Sequence, residues 1–146
     1  MTQRQEPLRL VLTPAQSGVR ARVVVVDSIT AVTTEDAGSV VVSGSHGGVS
    51  SAHFALRYPM RLVVFNDAGG GKDGAGMAAL NLLQDAGVAA ATVSHTSARI
   101  GDGMDAWEHG AVSHGNVLAA ALGLVQGRRL REHLQLIDFA QLPLPE

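Results

Sequence analysis

Cysteine is absent from this sequence, and that single omission removes disulfides, zinc–thiolate sites, iron–sulfur ligation and cysteine nucleophiles together. Lysine occurs once, at Lys72, against ten arginines. Charge is scarce as well: 16% of residues are charged, the net charge is −2 and the pI is near 6.3. No basic field exists to hold nucleic acid or an anionic membrane surface. No apolar run approaches the roughly 20 residues that a membrane span needs. The polar opening Met1–Pro7 leads into no signal-like segment. The expectation is a cytoplasmic protein whose partners include neither nucleic acid nor membrane.

What is present is apolar mass and glycine. Hydrophobic residues make up 46% of the 146, and mean hydropathy is +0.17, values that argue against a disordered chain. A chain this long buries roughly 70% of the surface it exposes when unfolded, enough for one real core. The 17 glycines cluster in loops that also carry His, Asp and Ser. No internal repeat or low-complexity linker divides the chain, so residues 1–146 read as a single domain.

Hydrophobic patterning gives its architecture. Val23–Val26 and Val40–Val42 are β-branched runs bounded by polar residues, the mark of strands buried on both faces. Leu62–Phe65 and Val88–Val93 repeat the pattern. Residues 1–20 read as an edge strand or arm, with Leu8–Leu12 its pairing segment and Thr13-Pro14-Ala15 a turn or short helix. Helical segments are predicted over 47–57, Gly74–Ala86 (capped by Asp73), Asp102–His109, Ser113–Leu122 (capped by Ser113) and Arg128–Ile137. A Thr34-capped segment stops at Gly38, and the tail 138–146 is extended. Strands alternating with helices predict an α/β fold: a three-layer sandwich with a mostly parallel sheet of about four to five strands and helices on both faces.

In such a sheet, ligands bind beyond the carboxyl ends of the strands, and here the polar residues gather at those ends. The first long strand ends in Asp27-Ser28. The next runs into Ser43-Gly44-Ser45-His46-Gly47-Gly48, the third into Asn66-Asp67 and the glycine loop before Lys72, the fourth into Ser94-His95-Thr96-Ser97-Ala98-Arg99. Turn chemistry accounts for the Gly and Asp residues. It accounts poorly for His46, Lys72, His95 and Arg99.

His46, Asp67, Lys72 and His95 are therefore the candidate catalytic groups, with His95 preferred for acid–base work because imidazole titrates near neutral pH. Ser43, Gly44, Ser45, Gly47 and Gly48 are candidates to bind an anion at a helix start. Asn66, Ser97 and Arg99 are added as substrate contacts, Arg99 through its planar fork. Structural duties compete at each position. Asp67 could close a turn, Lys72 could be a solvated surface residue, and Arg99 could pair with Asp102 or Asp105. His53, His109 and His133 read as surface or packing residues, and Asn116 as a weaker candidate at a helix start.

Several chemistries are excluded by detail. The loop before Lys72 resembles a P-loop only superficially, since Asn66 replaces its first glycine and Asp73 stands where a magnesium-binding Ser or Thr belongs. Gly44-Ser45-His46-Gly47 is not a nucleophile elbow, because no glycine precedes Ser45 by two. No Gly-x-Gly-x-x-Gly follows the first strand. No cofactor is predicted; a divalent metal is compatible with His46, His95 and His114 plus Asp67 or Asp102, without support from spacing. The expected function is a small enzyme acting on a small anionic metabolite, a carboxylate or phosphate, by lyase, isomerase or hydrolase chemistry. The alternative is a non-catalytic ligand-binding or structural subunit of a larger assembly. Either way the Ala-rich helices predict a homo-oligomer.

Overall fold

The computed structural model describes residues 7–12 and 21–137. The turn expected at residues 13–15 and the tail 138–146 lie outside them. Among the described residues, six strands form one sheet in simple sequence order: β1 (Leu8–Leu12), β2 (Ala21–Val26), β3 (Val40–His46), β4 (Leu62–Asn66), β5 (Ala89–Val93) and β6 (Val112–Gly115). Strands β2 to β5 pair in parallel. At the two edges β1 runs antiparallel to β2 and β6 antiparallel to β5. The fold is α/β as expected, but the mostly parallel sheet of four to five strands is corrected to a mixed sheet of six.

Alternation along the valine runs explains why these strands sit inside. Val23 and Val25 point to one face with Val40, Val42, Leu62 and Val64, while Val24 and Val26 join Val41, Val63 and Phe65 on the other. Strands clothed on both faces are continuous apolar runs rather than alternating ones. Among the described residues, five α-helices cover the two faces: α1 (Val49–Ala55), α2 (Ala78–Asp85), α3 (Gly103–His109), α4 (Val117–Ala121) and α5 (Leu130–Leu134).

The division between the faces follows the chain. One core takes its non-strand side chains from Ile29 to Val88, including Ala52 and Ala55 of α1 and Leu80 and Leu83 of α2. The other, among the described residues, takes its buried non-strand side chains from Ala98 onward, including Trp107 of α3, Ala119 of α4, and Leu130 and Leu134 of α5. Adjacent strands in sequence order, joined by crossovers of one hand, force the early connections onto a single side.

The helix expected over Ser113–Leu122 is corrected too. Its first residues are β6, where His114 stands opposite Thr92 and the Ser113 and Thr92 hydroxyls lie 2.8 Å apart. Helix α4 starts later, capped by Asn116, whose Oδ1 accepts from Ala119 N–H at 3.0 Å. Asp73 caps no helix: it lies inside a 3-10 segment, Lys72–Met77, that precedes α2. Thr33 rather than Thr34 caps the 3-10 turn Thr34–Asp36.

Candidate active site

Parallel pairing brings the carboxyl ends of β2, β3, β4 and β5 to one rim of the sheet, so His46, Asp67 and His95 follow or end three adjacent strands there. Between Val42 and His46 the register of β3 slips: four steps along β3 answer two along β4. A bulge of this kind re-aims the side chain that follows it. His46 comes out exposed, opposite Asn66.

Asp67 and His95 meet. Asp67 leaves β4 with its backbone N–H donating to Val93 carbonyl at 2.9 Å, and its side chain is only 8% exposed. Oδ1 accepts from the backbone N–H of Gly69 at 2.8 Å and of His95 at 3.1 Å. The same oxygen stands 3.3 Å from His95 Nδ1. Burial acts to raise the Asp67 pKa, but the Gly69 N–H, the Ser113 hydroxyl, the His95 N–H and the His95 ring together hold it below the ordinary value of 3.8. With the carboxylate ionised, Nδ1 must be the donor. The His95 ring is 54% exposed, so its other nitrogen is left to solvent or a ligand.

The loop between them is built from left-handed backbone. Ala68, Gly69, Gly70 and Gly71 have φ of 53°, 77°, 91° and 67°. Three of the four are glycine, which adopts this region without steric cost; Ala68, at roughly 1–2 kcal/mol of intrinsic cost, is held by its N–H donating to Asn66 Oδ1 at 2.9 Å. A Cβ added to Gly69 would lie 3.5 Å from His95 Cε1, so the glycine loop packs against the imidazole.

Behind the pair, residues 94–102 cross the ends of the neighbouring strands. Asn66 Nδ2 donates to Ala98 carbonyl at 2.9 Å, Gly101 N–H to Gly44 carbonyl at 2.7 Å, and Gly103 N–H to Asp27 Oδ1 at 3.0 Å. The backbones touch here: a Cβ on Gly44 would overlap Asp102 N, and one on Gly103 would overlap the Val26 carbonyl. This close crossing is what requires glycine at both positions.

The remaining predicted residues divide by what their side chains already hold. Ser43 is fully buried and donates to Val64 carbonyl at 3.0 Å. Ser45 Oγ accepts from Ile29 N–H at 2.9 Å. Gly47 is packed against Gly76, with its carbonyl accepting from Ala79 N–H at 2.8 Å, and Gly48 caps α1. Ser97 Oγ donates to Ser94 carbonyl and accepts from Ala111 N–H, both at 2.9 Å. Arg99 is exposed, its N–H bonded to Asp105 Oδ2 at 2.7 Å. Asp105 in turn pairs with His109 at 2.9 Å. Lys72 opens the 3-10 segment beside the glycine loop; its side chain is outside the described atoms.

Two residues carry duties other than those expected of them. Ser113, expected as a helix cap, sits on β6, where its hydroxyl helps to lower the Asp67 pKa and is bonded to Thr92. A threonine inside the otherwise apolar stretch Ala89–Val93 was the available signal. Asn116 is buried and saturated: it accepts from Ala90 and Ala119 N–H and donates to Leu80 and Val88 carbonyls, a structural brace distant in role from any ligand.

Among the described residues, no group of three or more His, Cys, Asp or Glu side chains is placed to hold a metal ion, and no helix is long and apolar enough to cross a membrane. A separate cleft of about 270 Å³, between the end of α3 and α5, is lined by Glu108, Gly110, Arg129, Arg131, Glu132 and Gln135 and contains none of the residues above. Compared with protein-family models, with curated proteins and with solved structures, the chain finds no match.

Proposed function

We propose that the chain is a small acid–base enzyme acting on a small anionic metabolite, a carboxylate or phosphate, in chemistry of the lyase, isomerase or hydrolase type. The observation that carries this reading is the contact between buried Asp67 and half-exposed His95. A carboxylate on Nδ1 keeps the proton there and presents the Nε2 lone pair outward, the form of imidazole that removes a proton from a substrate. His46, exposed at the neighbouring strand end, is assigned the complementary acid. Arg99 and Lys72 supply the attraction for an anion. The reading routes no step through a metal ion.

The test has two stages. A thermal-shift screen over phosphates and small carboxylates, with and without divalent cations, finds the ligand as a rise in melting temperature. Turnover of that ligand is then followed by proton NMR in heavy water. His95→Ala is expected to remain folded and to lower the rate about 10²–10⁴-fold, the ordinary worth of a positioned general base. An unchanged rate in His95→Ala would overturn the assignment. Binding without turnover in the parent would favour the non-catalytic subunit instead.

A further inference from the structure

Asn66 is fully buried, yet it is bonded to all three loops that carry the candidate catalytic residues. Its backbone carbonyl accepts from Gly47 N–H at 3.2 Å, on the loop that follows His46. Its Oδ1 accepts from Ala68 N–H at 2.9 Å, fixing the left-handed turn after Asp67. Its Nδ2 donates to Ala98 carbonyl at 2.9 Å, on the loop that holds His95. We infer that Asn66 is a positioning residue: it touches no ligand, and it holds the His95 loop in register with the turn of Asp67 so that the carboxylate reaches Nδ1.

The chemistry of the side chain fits that duty. One end of the amide must accept and the other must donate, at a site where both partners are backbone groups with fixed polarity. Aspartate matches the amide in shape and keeps the acceptor for Ala68. It sets an oxygen against the Ala98 carbonyl, however, and that tie becomes a repulsion. Serine is too short to span both partners. A buried polar group joined at both ends in this way specifies one arrangement of the elements it joins.

The proposal rests on the reading of Asp67 and His95 as a functional pair, and its test needs neither ligand nor turnover. Long-range proton–nitrogen NMR distinguishes a ring protonated at Nδ1 from one protonated at Nε2. In the parent, His95 is expected in the Nδ1–H form. His133, whose Nε2 donates to the Leu122 carbonyl at 2.8 Å, is expected in the Nε2–H form and serves as an internal control of folding. In Asn66→Asp the ratio of Nδ1–H to Nε2–H at His95 should fall roughly fivefold, the equivalent of one net hydrogen bond, while His133 is unchanged. Should Asn66→Asp fail to fold, Asn66→Ser must give the same loss. An unaltered His95 ratio beside an unaltered His133 overturns the proposal. So does an Asn66 side-chain amide that exchanges with solvent in the parent as fast as an exposed one. Failure of the turnover experiment would leave these outcomes unchanged, which keeps the two inferences separable.

Discussion

Asp36 and Asp67 are carboxylates held inside the protein by opposite means. Asp36 is fully buried and takes a two-point contact from Arg9, at 2.9 and 3.2 Å, with Thr33 N–H at 3.0 Å. Asp67 relies on backbone amides, a hydroxyl and an imidazole. In both, burial pushes the pKa up and the partners outweigh it, so each carboxyl ionises below its ordinary value of 3.8. The sign of the consequence follows. The folded state binds fewer protons than the unfolded chain in the acid range, so each group contributes stability that is complete above about pH 5 and is lost as the pH falls through the ordinary value towards the lowered folded one. Urea midpoints measured from pH 7 to pH 3 should therefore drop for the parent and drop less steeply for Asp36→Asn and Asp67→Asn. Parallel curves for all three proteins would contradict this.

Single residues were legible in proportion to how little else they could do. An Asp at the end of β4 and a His at the end of β5 read as candidate catalytic groups, and the structure brings them to 3.3 Å of each other. Ser43, Asn66 and Ser97 carry the same kind of signal yet hold sheet and loop together. A short polar side chain at a strand end serves a ligand or a neighbouring backbone equally well, and spacing along the chain does not say which loop will cross above it.

At the scale of elements, the segment 112–122 shows where periodicity gave way. Ser113 followed by an Ala-rich run has the form of a capped helix. Pairing with β5 claims the first four residues instead, because β5 would otherwise present a bare apolar edge, and the helix waits for Asn116. That residue satisfies four backbone groups drawn from β5, α2, α4 and the turn before β5. Asn116→Ala should cost about 2–4 kcal/mol, since a helix cap is lost and buried carbonyls and amides are left without partners. Chemical denaturation gives the number directly. A change within about 0.5 kcal/mol, typical of an uninvolved surface site, would show that α4 and β6 are held by packing alone.

For the molecule as a whole, the apolar runs marked the central four strands and Leu8–Leu12 marked the edge strand β1; the other edge, β6, escaped because a lone edge strand is short and its direction is set by its connection rather than by its composition. The apolar side chains left outside include Val11 on β1 at 63% exposure and Val117 on α4 at 72%. We propose that the expected homo-oligomer covers them. Size-exclusion chromatography with light scattering should read at least twice the chain mass of 15.1 kDa, and Val117→Glu or Val11→Lys should lower it. A single-chain mass at every concentration would dismiss the assembly.

The partition of the two cores along the chain also orders events during synthesis. By the time β5 has left the ribosome, every described side chain that covers one side of the sheet from outside the strands has already emerged, while those described for the other side are still to emerge. A nascent chain at that stage carries a finished half and an apolar flank open to water, the kind of surface that chaperones bind and that neighbouring chains stick to. Shielding of that flank until Trp107, Leu124, Leu130 and Leu134 arrive is thus built into the order in which the polypeptide is written.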